Sequence, residues 1–230
     1  MSVFLYFTTF HSIHASKTFT LRLPSAVLTN EPLLTEIPVT VSGGELIPGK
    51  PTVMPRKTLI IAGHPDMAGS TVHACWLGAV RQAKLAHVHE IAQSYPTGII
   101  DVASEQRLIE AHDRIILQFP IFWYSVPAVL KNWIDRVLSH GWAYGRDGDT
   151  FVGKELGLAY STGTAADAYR AGGSNHFSMS ELTKPLELTA LFIKARFLPS
   201  FILHGANAGF SDEELEKSAR AYLAYLDADF

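Results

Sequence analysis

The sequence predicts an α/β domain in which a parallel sheet is covered by helices on both faces. From Lys57 onward, five short strand-like segments alternate with five segments that have helical spacing. This alternation is typical of βαβ units, whose crossover connections place helices on both faces of a parallel sheet. The first segment, residues 58–63, is apolar and ends at a glycine, as expected of a fully buried strand.

The next elements follow from the spacing of their apolar residues. After the first strand, apolar residues between Val72 and Ala83 fall on one helical face. Residues 85–91 alternate in polarity as a strand does, and residues 101–112 have a helical pattern. The third strand, residues 114–119, is again a short apolar run. Two helices therefore separate the first three strands.

The second half contains the clearest helix of the sequence. Its apolar residues between Val126 and Leu138 recur at i, i+3, i+4 and i+7, and Ser125 can cap its start. The next strand, helix and strand are predicted at residues 155–161, 182–195 and 197–204. The last helix opens with Ser211 and Glu214 in capping-box spacing.

Residues 1–56 differ from the rest in composition. They are rich in Ser, Thr and Pro, and no acidic residue precedes Glu31. We interpret them as an extended or flexible leader, with room for short strands at Thr18 to Leu23 and Ile37 to Val41. Residues 57–230 form the functional domain in this interpretation.

Bulk composition argues against several classes of protein. The 230 residues carry a net charge of -3, without the basic excess that indicates nucleic-acid binding. The single cysteine, Cys75, cannot form an internal disulfide, which favours a reducing compartment such as the cytoplasm. No apolar run reaches the roughly 18 residues of a membrane-spanning helix. No metal site is predicted, because His87 and His89 share a strand face without a third ligand.

The loop after the first strand is a candidate phosphate site. Sheets of this kind bind ligands beyond the carboxyl ends of their strands, where the strand order reverses. Residues 64–71 lead from such an end into a helix, whose N-terminus suits an anion. Neither a P-loop nor a G-x-G-x-x-G motif is present. The alternative is an ordinary strand-to-helix turn with a serine cap.

Two further loops suit a planar ligand. After the third strand, Phe122, Trp123 and Tyr124 follow one another and can wall a ring system, although a core or dimer-interface cluster is the alternative. After the fourth strand, the turn from Ser161 to Thr164 contains small residues whose backbone can approach a ligand. Turns with glycine are common, so the turn from Ser161 to Thr164 is weak evidence for a ligand by itself.

Together, the three loops resemble those of the flavodoxin-like NAD(P)H:quinone oxidoreductases. The most specific stretch runs from Gln118 to Pro127 and continues through Leu130-Lys131, Trp133 to Val137 and His140 to Gly145, while His64-Pro65 and Ser161-Thr162-Gly163 occur in the matching loops. The resemblance covers residues 57–230. It is closest to a bacterial branch with general stress quinone reductases and the ancillary flavoprotein of glutathione-gated potassium efflux. It implies a flavodoxin-like three-layer sandwich with a five-stranded parallel sheet of order 2-1-3-4-5.

The resemblance also implies an activity. The expected enzyme takes a hydride from NAD(P)H and passes two electrons through bound FMN, or alternatively FAD, to a quinone or similar flat acceptor. It implies a homodimer, and the expected location is the cytoplasm. One alternative is a flavin-binding regulatory subunit docked on a membrane potassium-efflux transporter. A one-electron carrier is a weaker alternative, because flavodoxins are usually strongly acidic.

Site residues are carried over from the resemblance position by position. Those expected around the flavin phosphate are His64, Ser70, Thr71, Val72 and His73. Those along the isoalloxazine ring are Pro120, Ile121, Phe122, Trp123 and Tyr124. Those at its pyrimidine edge are Ser161, Thr162, Gly163 and Thr164. Tyr169 is expected to donate a hydrogen bond to the acceptor oxygen, with His176 assisting proton delivery. The family often has Asn in place of His73 and Gly in place of Thr164.

Overall fold

The computed structural model describes residues 18–23, 35–42, 45–48 and 56–230, the first three ranges as strands only. The chain divides into two units, Met1–Pro55 and Arg56–Phe230. The strands of the first unit are β1 (Thr18–Leu23), β2 (Thr35–Ser42) and β3 (Glu45–Pro48). They form an antiparallel sheet in which β2 is central. The interpretation of residues 1–56 as a leader stays a prediction.

The second unit is built on a parallel sheet. Its strands are β4 (Thr58–Ala62), β5 (His87–Glu90), β6 (Arg114–Pro120), β7 (Glu155–Thr162), β8 (Arg196–Phe197) and β9 (Phe201–His204). The order is β5-β4-β6-β7-β8, and β9 also pairs with β7. Every pairing is parallel. The predicted order 2-1-3-4-5 is thus confirmed, with β8 and β9 sharing the fifth position.

The fifth strand is not continuous, contrary to the prediction for residues 197–204. The chain leaves β7 between β8 and β9, where Pro199 has no N–H to donate to a strand ladder. The Leu198 N–H still donates to the Leu156 carbonyl at 2.9 Å, and the Tyr225 hydroxyl donates to the Pro199 carbonyl at 2.9 Å. A proline interruption of this kind is tolerated at the edge of a sheet.

Helices cover both faces of this sheet and make three layers. They are α1 (Thr71–Ala83), α2 (Ile91–Ser94), α3 (Val102–Glu110), α4 (Ala128–Val137), α5 (Met179–Leu182), α6 (Lys184–Phe192) and α7 (Asp212–Asp227). Alternate strand residues point to opposite faces. Ile60 and Ile116 pack in one core with α1 and α7, whereas Leu59 and Ile115 pack in the other with α3, α4 and α6.

The helices differ from the prediction at several places: α2 was not predicted, α3 is shorter than residues 101–112, and larger differences occur at the start of α4 and around α6. Ser125 does not cap α4, because Pro127 occupies the N-cap position and no side chain there accepts a bond. The helix predicted over 182–195 corresponds to α6, which spans only Lys184–Phe192 and is preceded by the short helix α5, Met179–Leu182, across Thr183. The capping box of Ser211 and Glu214 is confirmed at the start of α7. A capping box between residues three positions apart is thus predicted more reliably than a helix end that depends on the segments around it.

A buried ion cluster holds the amino ends of the central strands. Arg114 of β6 is 2% exposed, and its Nε donates to Glu155 Oε2 of β7 at 2.6 Å. Its other nitrogens donate to the carbonyls of Leu226 and Ala228 at 2.7 and 2.9 Å. Burial alone would raise the pKa of Glu155, but hydrogen bonds from Arg196 and Arg114 outweigh it and hold the pKa below its ordinary value. The cluster fastens the end of α7 to the sheet.

No helix in the described part of the chain has the length and apolar character needed to cross a membrane.

Candidate functional site

A cleft of about 240 Å³ opens at the carboxyl ends of the central strands, on the side of the sheet that carries α1 and α7. The strand order reverses here, because β5 and β6 lie on opposite sides of β4. The cleft is lined by seven of the predicted site residues: His64, Ser70, Thr71, Val72, His73, Pro120 and Ser161. The first-strand loop and the carboxyl ends of β6 and β7 therefore meet at this cleft, whereas the predicted residues of the two following turns, Phe122 to Tyr124 and Gly163 to Thr164, are not among its lining residues.

The N-terminus of α1 forms one wall of the cleft. Ser70 is the N-cap, and its Oγ accepts a hydrogen bond from the His73 N–H at 3.1 Å. The first turn contains no acidic side chain. The N–H groups of Thr71 and Val72 lie in that turn, where a helix supplies no acceptor of its own. This wall therefore has the backbone donors and the positive dipole end that bind a phosphate.

His64 stands beside this wall in a defined protonation state. Its Nδ1 accepts a hydrogen bond from the Asp66 N–H at 3.1 Å, so the proton of the neutral ring is on Nε2. Burial lowers the pKa of His64, although the charge of Asp66 opposes the shift. Near neutral pH the ring is therefore uncharged and offers an N–H donor.

His73 lies beneath the cleft and is only 1% exposed. The Gln118 side-chain nitrogen lies 3.4 Å from both His73 Nδ1 and the His73 carbonyl, so it donates to both. His73 Nδ1 is then an acceptor, and Nε2 donates to Ser161 Oγ at 2.9 Å. Burial, helped by the neighbouring His64, lowers the pKa of His73 to about 3. Because Ser161 accepts from His73, its own hydroxyl hydrogen is free for a ligand in the cleft.

The aromatic residues after β6 form a tight, strained turn. Phe122 and Ser125 exchange two backbone hydrogen bonds of 3.0 Å. The two residues between them have left-handed backbones, with φ of 48° at Trp123 and 64° at Tyr124. Turns of this type strongly prefer Asn and Gly at these positions. Trp123 is nevertheless 94% exposed. A backbone conformation that costs free energy therefore presents an indole to solvent. Such strain is common at functional sites.

The turn after β7 is held from two sides. A Cβ on Gly163 would lie 2.6 Å from the Asn207 side-chain nitrogen, and the Asn207 N–H donates to the Gly163 carbonyl at 2.9 Å. Asn175 Nδ2 donates to Thr164 Oγ1 at 2.9 Å, and the Tyr124 hydroxyl donates to Asn175 Oδ1 at 3.4 Å. Asn175 thus connects the aromatic turn to the turn after β7.

The two residues expected to handle protons lie in different surroundings. Tyr169 is half-buried at the end of a short 3-10 turn, Ala166–Ala168, and packs against the core. His176 is exposed, with a left-handed backbone of φ 63°. The imidazole next to the Tyr169 ring is that of His204, with ring centroids 5.5 Å apart. His204 was not among the predicted site residues.

Sequence reasoning also missed the loop after the fifth strand. Ala206, Gly209 and Phe210 line the cleft opposite α1. Gly205 and Gly209 both have positive φ, at 94° and 77°. Two glycines just beyond a strand end were the available signal for a tight turn near a ligand.

Comparisons with known proteins agree with this architecture. The sequence model of a family described by its flavodoxin-like fold matches residues 56–226. The uncharacterized NAD(P)H oxidoreductase YrkL of Bacillus subtilis (strain 168) is 45% identical over 173 residues, which are 75% of this chain and 99% of that protein. The glutathione-regulated potassium-efflux system ancillary protein KefG of Pectobacterium atrosepticum is 36% identical over 174 residues, or 76% of this chain and 94% of that protein.

Two solved structures are similar over the same region. General stress protein 14 of Treponema denticola, in complex with FMN, superposes with a TM-score of 0.71 at 48% identity, over 74% of this chain and 98% of that one. An NADPH-quinone reductase from P. pentosaceus superposes with a TM-score of 0.68 at 33% identity, over 76% and 99% of the two chains. By the family match and by these identities, the chain belongs to the family of proteins with the flavodoxin-like fold.

Proposed function

We propose that residues 56–230 bind FMN in this cleft and reduce a quinone or a similar flat acceptor at the expense of NAD(P)H. The observation that carries the proposal is the helix N-terminus of α1, which meets a strained, exposed aromatic turn and a glycine turn at one sheet edge. The FMN complex of the Treponema protein, 48% identical to this chain, supports the choice of cofactor. FAD is the alternative cofactor.

The residues of the cleft fit the phosphate of FMN. The wall formed by α1 has no acidic side chain in its first turn, and Ser70 and Thr71 add hydroxyl groups to its backbone donors. His64 contributes an N–H donor, and Ser161 a hydroxyl hydrogen that no protein group needs. A phosphate that bears nearly two negative charges is bound well by such a set of donors.

The other two loops fit a planar ring. Pro120 is the last residue of β6, and the turn that presents Trp123 offers a flat face. The backbone around Gly163 approaches without a side chain, because Asn207 occupies the space of a Cβ. Bound FMN supplies two-electron transfer between a nicotinamide and a quinone. The chain positions the flavin and the acceptor, excludes water and donates hydrogen bonds. The Tyr169 hydroxyl is proposed to be one of these donors and to face the acceptor.

The test uses the full chain purified without added flavin. We expect a yellow protein that releases FMN on denaturation and oxidises NADH or NADPH several times faster when a soluble benzoquinone is present. A colourless protein that stays empty with excess FMN and FAD would overturn the proposal. Bound flavin without turnover would instead support the regulatory alternative.

The aromatic turn gives a prediction with opposite signs for stability and activity. The double variant Trp123→Asn, Tyr124→Gly places preferred residues in the two left-handed positions, which relieves strain of about 1 kcal/mol or more. We expect the free energy of unfolding to rise in urea titrations. We expect kcat/KM for the quinone to fall about 10-fold, because a stacking surface is lost.

The matched control for this variant is Val152→Asn. Val152 is an exposed apolar residue that precedes β7, at the opposite end of the strand from the cleft. It should leave both quantities unchanged. Unchanged turnover in the double variant would remove the turn from the acceptor site.

The regulatory alternative rests on relatives named KefG, which occur in several bacteria. KefG is named as an ancillary protein of a potassium-efflux system and is 36% identical to this chain. A role at a transporter and turnover of quinones are compatible, because docking can use surfaces outside the cleft. Binding to detergent-solubilised transporter without any loss of quinone turnover would support both roles.

A homodimer is part of the proposal. Leu188, Leu191 and Phe192 of α6 are exposed, and α6 therefore presents an apolar surface to solvent. Surfaces of this kind mark contacts between proteins. Sedimentation should give twice the chain mass, and Leu191→Glu should shift it toward the monomer.

A cytoplasmic location is likewise proposed from the single cysteine.

A further inference from the structure

His204 connects two loops of the site through one side chain. It is the last residue of β9 and pairs in register with Thr162, the last residue of β7. Its Nδ1 lies 2.8 Å from Thr162 Oγ1. Its ring centroid lies 5.5 Å from that of Tyr169, with 36° between the ring planes. The imidazole therefore contacts both the turn after β7 and the residue expected to face the acceptor.

The hydrogen bonds of Thr162 define the tautomer of His204. Thr162 Oγ1 also lies 2.9 Å from the Thr164 carbonyl, which can only accept. A hydroxyl has one hydrogen, so both contacts are satisfied only when Thr162 donates to Thr164 and accepts from His204. His204 is then protonated on Nδ1. Burial lowers the pKa of His204, which keeps the ring neutral near pH 7 and leaves Nε2 as a lone pair.

The turn after β7 depends on this contact. The bond from Thr162 to the Thr164 carbonyl closes the turn across Gly163, and the Gly205 N–H donates to the carbonyls of Thr162 and Thr164 at 3.0 Å each. Thr162 is 1% exposed, so without the donor at His204 its hydroxyl oxygen would lose a buried hydrogen-bond partner that water cannot replace. The turn and the Tyr169 ring would then lose their common support.

We propose that His204 is a positioning residue of the flavin site, which holds the turn from Thr162 to Thr164 by donating from Nδ1 and supports the Tyr169 ring by packing. The inference rests on the proposed function of the cleft, and its chemistry differs from that expected of His176. His204 acts through Thr162 and Tyr169. The Nδ1–H of His204 maintains the turn because the ring is held in one tautomer.

The variants His204→Asn and His204→Phe separate the two contributions. The Asn side-chain nitrogen can replace the Nδ1 donor, whereas Phe keeps the ring and removes the donor. We expect His204→Phe to weaken FMN binding about 10-fold, as loss of a buried hydrogen bond does. His204→Asn should stay within about 3-fold of the wild-type dissociation constant. Thr162→Val removes this bond and the bond to the Thr164 carbonyl, so it should weaken FMN binding at least as much as His204→Phe, and adding His204→Phe to it should cause no further loss.

A second measurement reports on the tautomer without any cofactor. Nitrogen-15 NMR of the full chain labelled at histidine should show a resonance that is protonated at Nδ1 and unprotonated at Nε2, and His204→Asn should remove it. His112 Nδ1 lies 2.7 Å from the Leu108 carbonyl and gives a second ring of this tautomer, so the His204 signal is assigned by its loss in whichever of the Asn and Phe variants folds. A His204 ring protonated at Nε2 would contradict the inference.

The outcomes separate the inference from the proposed function. Failure of the wild type to bind FMN would overturn the proposed function, while the tautomer would still be read. With FMN bound normally by the wild type, equal losses in the Asn and Phe variants, or none in either, would overturn the inference. Rescue by Asn together with the Nδ1-protonated ring would establish it.

Discussion

Replacing Thr71 by Glu should weaken FMN binding by about 100-fold or more while the apoprotein stays folded and becomes slightly more stable. Thr71 is the first residue of α1, is exposed, and lines the cleft. A carboxylate there faces the positive end of the helix, which stabilises an isolated helix terminus by about 0.3–1 kcal/mol. The same carboxylate repels the phosphate. At an effective dielectric constant of about 20, two unit charges about 5 Å apart repel by roughly 3 kcal/mol.

The matched control is Thr71→Gln, which has the shape of Glu without its charge. Isothermal titration of FMN and thermal unfolding of the apoproteins measure the two effects separately. We expect Gln to bind FMN within about 3-fold of the wild type, since one hydroxyl contact is lost at most. Equal affinity of the Glu variant and the wild type would show that the phosphate lies elsewhere.

Much of this site could be predicted because its signals are local. The helix start after His64, the aromatic run of Phe122 to Tyr124 and the glycine of the turn after β7 are each visible in a few consecutive residues. The alternation of strands and helices then predicts that these loops share one edge of a parallel sheet. The cleft confirms that residues of the first-strand loop, Pro120 and Ser161 come together.

Other parts depend on contacts between distant residues. The position of His73 in the sequence is typical of a residue that faces a ligand. Its side chain is instead buried and hydrogen-bonded to Gln118 and Ser161. His204 contacts Thr162 only because β9 pairs with β7 in register. The spacing of residues in the sequence does not predict the contacts of His73 or of His204. The interruption at Pro199 likewise reflects the sheet edge, which is defined by topology and not by local pattern.

The second large effect is expected at the ion cluster at the other end of the sheet. Glu155→Gln should lower the free energy of unfolding by about 3–5 kcal/mol, the usual cost of removing one partner of a buried ion pair. Arg114 would keep its charge at 2% exposure while losing the carboxylate at 2.6 Å. Arg196, which also donates to Glu155, would lose this carboxylate and keep its bond to the Phe230 carbonyl. Urea unfolding of the apoprotein measures the difference.

The control is Glu216→Gln, which removes an exposed carboxylate from a pair with Arg220 on α7. It should cost less than about 0.5 kcal/mol, because exposed pairs one helical turn apart are weak. Similar losses in the two variants would mean that the buried cluster contributes no more than an ordinary surface pair.

Acid should reproduce part of the Glu155 effect in the wild type. The folded state holds the pKa of Glu155 below its ordinary value, so the folded chain binds fewer protons than the unfolded chain in the acid range. The stabilisation is therefore complete above the ordinary glutamate pKa, roughly 4.3, and is lost as the pH falls through the lowered folded value. Glu155→Gln should flatten the acid limb of the stability curve. Because Glu155 begins β7 and the cleft lies where β7 ends, the folded variant should still bind FMN with wild-type affinity.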